Sequence, residues 1–199
     1  MNNKLVQQGY DKAAINYLQG RENFRSQPYL EKFEKILKTG SHILDVGCGA
    51  GFPVDTFFIQ HGHSVRGIDI SSKQIELAKQ RVPEAQYEQK DMTELKSGEY
   101  KSDAIVSFYA IFHIDRKLHL SLFQKFATFL PSGGVLLVTM GSDEWEGSED
   151  NFFGSKMYWS QYGTKKNEEL IQKAGFEIFL SEIDNTGGEK HQIIFARKK

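Results

Sequence analysis

Between residues 42 and 140 short apolar runs alternate with helix-like segments, joined by brief polar links. No other feature constrains the fold as strongly. Strands joined through helical crossovers lie parallel in one sheet and need helices on both of its faces. Strands are read at 42–46, 64–70, 85–89, 102–108 and 135–140. The last, VLLVTM, is apolar throughout, as in a strand buried on both sides. Helices are read at 53–61, from Ser71 or Ser72 to before Pro83, and at 116–130. The serines are candidate caps, with Gln74 or Glu76 near the third helical position. After a helix at 164–174, strands at 176–180 and 192–197 break the alternation. Their connector, 181–191, is too short for a helical crossover, so the last strand is predicted antiparallel.

Two helices precede this array. In the first, 3–19, Tyr10, Ala14, Tyr17 and Arg21 fall on one face. Pro28 opens the second, 28–38, with an apolar stripe of Leu30, Phe33, Ile36 and Leu37. With 199 residues the expected organisation is a single domain: a helical cap (1–40), a core (41–140), an insert (141–163) and a closing helix and hairpin (164–199). A net charge of -1 and a pI near 6.6 argue against a nucleic-acid partner. The single cysteine, Cys48, allows no internal disulfide and suits a reducing compartment. The start, MNNKLVQQGYDK, has no secretory-signal pattern, and no apolar run is long enough to cross a membrane. A cytoplasmic protein without membrane attachment is expected. No metal is expected either, and the oligomeric state is left open.

The first strand stops at three glycines, Gly47, Gly49 and Gly51, in ILDVGCGAGFPVD. Glycine takes positive φ and lets a ligand approach bare backbone, so a glycine turn between strand and helix suits a nucleotide. The G-x-G-x-G spacing departs from the G-x-G-x-x-G of dinucleotide folds. No phosphate-binding lysine follows. Three acids stand at successive strand ends: Asp45, Asp69 and Asp91. An acid at the end of the second strand can hold both ribose hydroxyls.

The pattern D-x-G-x-G-x-G resembles the first motif of class I S-adenosylmethionine-dependent methyltransferases. RVPEAQYEQKDM, SFYAIFHI and FLPSGGVLLVTM look like later strands of small free-standing members, and YDKAAINYLQGR like their N-terminal helix. The resemblance implies a three-layer αβα Rossmann-like sandwich, with a seven-stranded, mostly parallel sheet of order 3-2-1-4-5-7-6 and strand seven antiparallel. It implies S-adenosylmethionine as cofactor. Gly47, Cys48, Gly49 and Gly51 would bring backbone to it, and Asp45 would hold the loop and the methionine ammonium. Asp69, with Ile70, would take the ribose, and Asp91, with Met92, the adenine. Ser107 and Phe108 would complete the wall, and Tyr10, Tyr17 and Arg21 would cover the methionine end. Cys48 is not read as a nucleophile; a small residue fits that turn.

Ligands of open α/β sheets bind beyond the carboxyl ends of the strands. Tyr109, Phe112 and His113 follow strand four there, and Glu189 and His191 return to the same edge. The insert 141–163 carries Trp145, Phe152, Phe153, Tyr158, Trp159 and Tyr162, and a long insert of this kind suits a lid. Tyr109, Phe112, Trp145, Tyr158, Trp159, Tyr162 and Glu189 are the candidate acceptor contacts. Methyl transfer needs alignment, and a base only when the acceptor must lose a proton. His113, then His191, are the candidate bases. The plain alternative for His113 is a structural residue bonding a loop carbonyl. His61 and His63 are expected in solvent. A small-molecule acceptor is the favoured reading. A protein or nucleic-acid acceptor, a cofactor-binding partner without activity and a nicotinamide dehydrogenase are the alternatives.

Overall fold

The structure, a computed structural model, describes residues 3–20 and 27–199. Its strands are β1 (His42–Val46), β2 (Ser64–Asp69), β3 (Gln86–Gln89), β4 (Ala104–Ser107), β5 (Val135–Gly141), β6 (Trp145–Phe152), β7 (Ser155–Gln161), β8 (Phe176–Asp184) and β9 (His191–Lys198). Its helices are α1 (Asn3–Gly20), α2 (Gln27–Glu34), α3 (Val54–Gln60), α4 (Ser72–Arg81), α5 (His119–Phe129) and α6 (Thr164–Lys173). Seven strands form one sheet in the order β3-β2-β1-β4-β5-β9-β8. The first five pair in parallel. β9 runs antiparallel between β5 and β8. This is the predicted Rossmann-like topology; only the numbering shifts, because β6 and β7 intervene.

The strand alternation sorts the core into two layers. Leu44, Val46, Leu136, Val138 and Ile194 pack with Leu122, Phe123 and Phe126 of α5 and Ile171 of α6. Ile43, Val135, Leu137, Ile193 and Phe195 face the other way, onto Leu30 and Phe33 of α2 and Phe58 of α3. Phe33 is fully buried and meets Phe58 and Phe195 edge-on, with centroids 6.2 and 5.5 Å away. Phe33→Ala should cost about 3–5 kcal/mol of stability, read from the urea midpoint.

The insert after β5 departs most from expectation. Residues 145–161 form an antiparallel hairpin of their own. Its turn places Phe153 (φ 48) and Gly154 (φ 81) at positive φ, the pair of conformations that a two-residue hairpin turn of primed type requires. Strand β6, WEGSEDNF, is mostly exposed and polar, so no apolar alternation announces it. Smaller differences concern element ends. The helix read at 28–38 stops at Glu34, and the segment beyond tightens into Ile36–Phe33 and Leu37–Glu34 turn bonds. β8 continues to Asp184, shrinking the final connector to 185–190. His63, expected in solvent, is buried against Phe58. Among the described residues, no helix is long and apolar enough to cross a membrane.

Candidate active site

β1 ends at Val46, and the chain turns at once. The N–H groups of Gly47 and Cys48 both donate to the Ile68 carbonyl of β2, at 2.8 and 3.0 Å, which clamps the loop to the neighbouring strand. Gly47 has φ 81, and a Cβ there would lie 2.2 Å from the Ala110 Cβ. Gly49 has φ 54, but its open side meets only the Gln74 Oε1, 3.9 Å from where a Cβ would stand. Gly51 has φ 75 and packs against the Tyr87 hydroxyl, away from the cleft. The three glycines thus serve differently. One admits the chain after β4, one faces the cleft, and one closes the loop from beneath.

Asp69 lies at the end of β2. Its Oδ2 accepts from the Gly49 N–H at 2.9 Å and its Oδ1 from the Ser71 N–H at 2.8 Å. The carboxylate therefore fixes the glycine loop and still borders the cleft. Dense protein around it pushes its pKa up to about 6, although both N–H groups pull the other way. Asp91, at the end of β3, accepts from the Thr93 N–H and hydroxyl through Oδ1 and from the Asn3 amide through Oδ2 at 2.7 Å. Under the loop, Asp45 is buried beside Asp55, whose pKa burial raises to about 6. Burial and the carboxylates of Asp55, Asp69 and Asp45 hold the Cys48 thiol well above its ordinary pKa. Cys48 should resist iodoacetamide in the folded protein at pH 8 and react only after unfolding, because the thiolate is the reactive form. Rapid labelling of native protein would refute this environment.

Helix α1 straps across these strand ends. Asn3 reaches Asp91. Asp11 accepts from the Ser71 hydroxyl and from the Lys73 N–H. Gly9 lets the helix lie against β7, where a Cβ would come within 2.8 Å of the Met157 Cε. The Tyr10 hydroxyl is 2.8 Å from the His113 Nε2. On its other side the His113 Nδ1 is 2.8 Å from the Tyr158 carbonyl. A carbonyl only accepts, so Nδ1 carries the proton, and the Nε2 lone pair accepts from Tyr10. Burial lowers the His113 pKa to about 4, so the ring is neutral. The carbonyl bond is the one expected of a structural histidine. The bond from Tyr10 also aims the basic nitrogen at the cleft wall.

β4 delivers an aromatic run to the same end. Tyr109 sits at φ 55, in the left-handed region that strains a bulky residue. Its ring meets His191 at 4.8 Å, and His191 stacks on Phe112 at 5.6 Å. Tyr10, Tyr17, Phe152, Trp159 and His113 continue this band of rings. A cleft lies beneath, lined by Tyr10, Tyr17, Gly47, Gly49, Asp69, Ile70, Asp91, Met92, Phe108, Tyr109 and His113. A second chamber, between Asp45, Cys48, Phe52 and Val54, shares Tyr17, Gly47, Gly49 and Phe108 with it. Two chambers joined over a glycine loop suit a ligand with a base, a sugar and a polar tail, so the residues present fit the adenosyl cofactor.

Other candidates stand apart. The Ser107 hydroxyl donates to the Val46 carbonyl and is buried. Tyr158 turns outward, its hydroxyl donating to Glu146 at 2.5 Å; only its carbonyl serves the site. Tyr162 lies under the Arg116 guanidinium and edge-on to His119. Trp145 is 42% exposed and meets the ring band at Trp159. Glu189 is largely exposed, 3.4 Å from the His191 Nε2. Arg21 lies outside the described residues. Asn3, Asp11 and Gln74 were not anticipated as site residues. Asn3 lies seven residues before Tyr10 on the same helix face, a sequence signal that points to it; Asp11, next to Tyr10, projects from the adjoining face. Gln74 was read only as a helix-capping residue.

Residues 43–134 match the family model described as methyltransferase domain. Phosphoethanolamine N-methyltransferase of Plasmodium falciparum (isolate 3D7) is 32% identical over 126 residues, 59% of this chain and 47% of that protein. Trans-aconitate 2-methyltransferase of Paracidovorax citrulli (strain AAC00-1) is 29% identical over 131 residues, 64% of this chain and 49% of that one. The chain thus spans about half the length of these curated relatives. The fold is similar to that of Burkholderia thailandensis 1,6-didemethyltoxoflavin-N1-methyltransferase, solved with 1,6-didemethyltoxoflavin and S-adenosylhomocysteine bound. The TM-score is 0.69 at 17% identity, over 98% of this chain and 91% of that one.

Proposed function

We propose that this protein is a class I S-adenosylmethionine-dependent methyltransferase that methylates a small molecule, a reading supported by the match of residues 43–134 to the methyltransferase-domain family model. The observation that carries this reading is the glycine loop. It opens bare backbone at Gly49 onto a cleft that Asp69 and Asp91 border from neighbouring strand ends. The curated relatives named above act on small molecules, phosphoethanolamine and trans-aconitate, which supports a small acceptor here.

When bound, the cofactor supplies an electrophilic methyl carbon on a positive sulfur. The chain's own residues hold, orient and dry the site. Asp69 would hold the ribose hydroxyls with the lone pairs left by Gly49 and Ser71. Asp91, with Met92, would hold the adenine. Gly47 and Gly49 would offer backbone to the nucleoside, and Asp45 would favour the cationic tail. Tyr17, Phe108 and Tyr109 exclude water, and their π faces tolerate positive charge. Tyr10 and His113 form the proton route. A hydroxyl or amine acceptor gives its proton to the Tyr10 oxygen as the Tyr10 proton passes to the His113 Nε2. His191, held between Tyr109 and Phe112, lines the acceptor side with Trp159.

Calorimetry should detect binding of S-adenosylmethionine and S-adenosylhomocysteine but not NAD. Incubation with small hydroxyl and amine acceptors should release S-adenosylhomocysteine. NAD binding with no response to either adenosyl compound would overturn the reading. Asp69→Ala should weaken cofactor binding by about 1–3 kcal/mol, the scale of hydrogen bonds to a charged group. Unchanged affinity in a folded variant would remove Asp69 from the ribose site. Affinity should also fall as pH drops through about 6, because Asp69 then gains a proton and loses acceptor capacity. A flat profile from pH 7 to pH 5 would contradict that assignment.

A further inference from the structure

Gln74 has 1% of its surface exposed, and among the described residues neither its Oε1 nor its Nε2 has a hydrogen-bond partner. The reason lies in the start of α4. In a capping box the cap hydroxyl accepts from the N–H three residues on, and that third side chain returns to the cap N–H. The first half is present: the Gln74 N–H donates to the Ser71 hydroxyl at 3.1 Å. The second half is blocked, because the Ser71 N–H is already taken by Asp69 at 2.8 Å. The displaced carboxamide turns into the cleft, where it lines both chambers.

A buried amide without partners destabilises a protein, whereas an apolar side chain of similar shape does not. Gln74 therefore persists against the stability of the fold. We infer that Gln74 is a cofactor-binding residue whose carboxamide is completed by the sugar of the bound nucleoside. This rests on the cofactor reading above. The sugar is assigned by position. Asp91 marks the base end of the cleft, Asp45 marks the tail chamber, and Gln74 stands at their junction, with its Oε1 beside Gly49. A carboxamide offers one acceptor and two donors, and a sugar hydroxyl both donates and accepts. Gln74 and Asp69 would thus hold the diol from two sides, the neutral group supplying the donor that a carboxylate lacks.

The test pairs affinity with stability. Gln74→Met keeps the length and removes the polar atoms. Calorimetry with S-adenosylhomocysteine and with 5′-methylthioadenosine, which lacks the amino-acid tail, should show both weakened about 10–100-fold, the equivalent of losing buried hydrogen bonds. The melting temperature of the empty variant should equal or exceed that of the parent. Unchanged affinity, or affinity and melting temperature falling together, would overturn the inference. A loss confined to S-adenosylhomocysteine would overturn the sugar assignment. Gln74→Ala serves if methionine overfills the site, with the same loss of affinity expected. The parent protein in the same calorimeter separates the two layers. If it binds neither compound, the cofactor reading fails; if it binds both and Gln74→Met binds equally, only the role of Gln74 fails.

Discussion

Gly47→Ala is expected to lose about 2–5 kcal/mol of stability and to bind no adenosyl ligand measurably. The added Cβ would stand 2.2 Å from the Ala110 Cβ, a distance that no non-bonded pair of carbons tolerates. Either the glycine loop or the chain after β4 must move. The φ of 81 adds strain of roughly 1–2 kcal/mol for a residue with a Cβ, and overpacking adds roughly 1–3 kcal/mol. The displacement falls where binding is most sensitive, because Ala110 sits between Tyr109 and the turn that holds His113. Urea denaturation and calorimetry on one preparation read both effects. A variant with parental stability and affinity would mean that the loop is not wedged against the chain after β4 as the structure has it.

His113→Phe should lower turnover about 10²–10⁴-fold, the usual contribution of a positioned base, while cofactor affinity changes little. Tyr10→Phe should lose less, since the ring packing survives and only the hydroxyl between acceptor and imidazole is removed. The pH behaviour adds a sharper check. Burial lowers the His113 pKa from its ordinary range to about 4, so the neutral ring is favoured in the fold. The stabilisation it confers is complete above the ordinary histidine pKa of roughly 6.5 and is lost as pH falls toward 4. Asp69 and Asp55 act in the opposite sense. Their carboxyl pKa values are raised to about 6, so their burial favours the fold at low pH, and that contribution is lost as pH rises toward 6. A fall in turnover between pH 8 and 6.5 that disappears in His113→Phe would contradict the buried, neutral imidazole. Equal turnover in the variant would leave His113 purely structural, holding the hairpin through the Tyr158 carbonyl.

The strands that were legible are those whose burial writes itself into composition. The run of β5 is apolar because both faces are covered. β1 announces itself because three glycines end it. The hairpin was not legible, because one of its strands is polar and mostly exposed. Its aromatic residues could be counted but not aimed. In β7 successive side chains point to opposite faces, so Trp159 joins the ring band at His113 while its neighbour Tyr158 turns out to Glu146. Tyr162 lies beyond the strand and is claimed by Arg116. Gln74 was hidden for a different reason. Its spacing from Ser71 fits a capping box, and only the capture of the Ser71 N–H by Asp69 frees its side chain.

By itself the sequence determined the alternation of strands and helices, the antiparallel last strand and the glycine turn after β1, whereas the sheet order came from the family resemblance. The first three follow from local rules: periodicity, connector length and the steric freedom of a missing Cβ. Only the tertiary structure decided which polar groups meet. Asp91 with Asn3, Asp11 with Ser71, and Tyr10 with His113 are pairs distant along the chain, made neighbours when α1 crosses the strand ends. Hydrogen bonds act over about 3 Å, and no pattern read along a chain specifies a distance that short between segments so far apart.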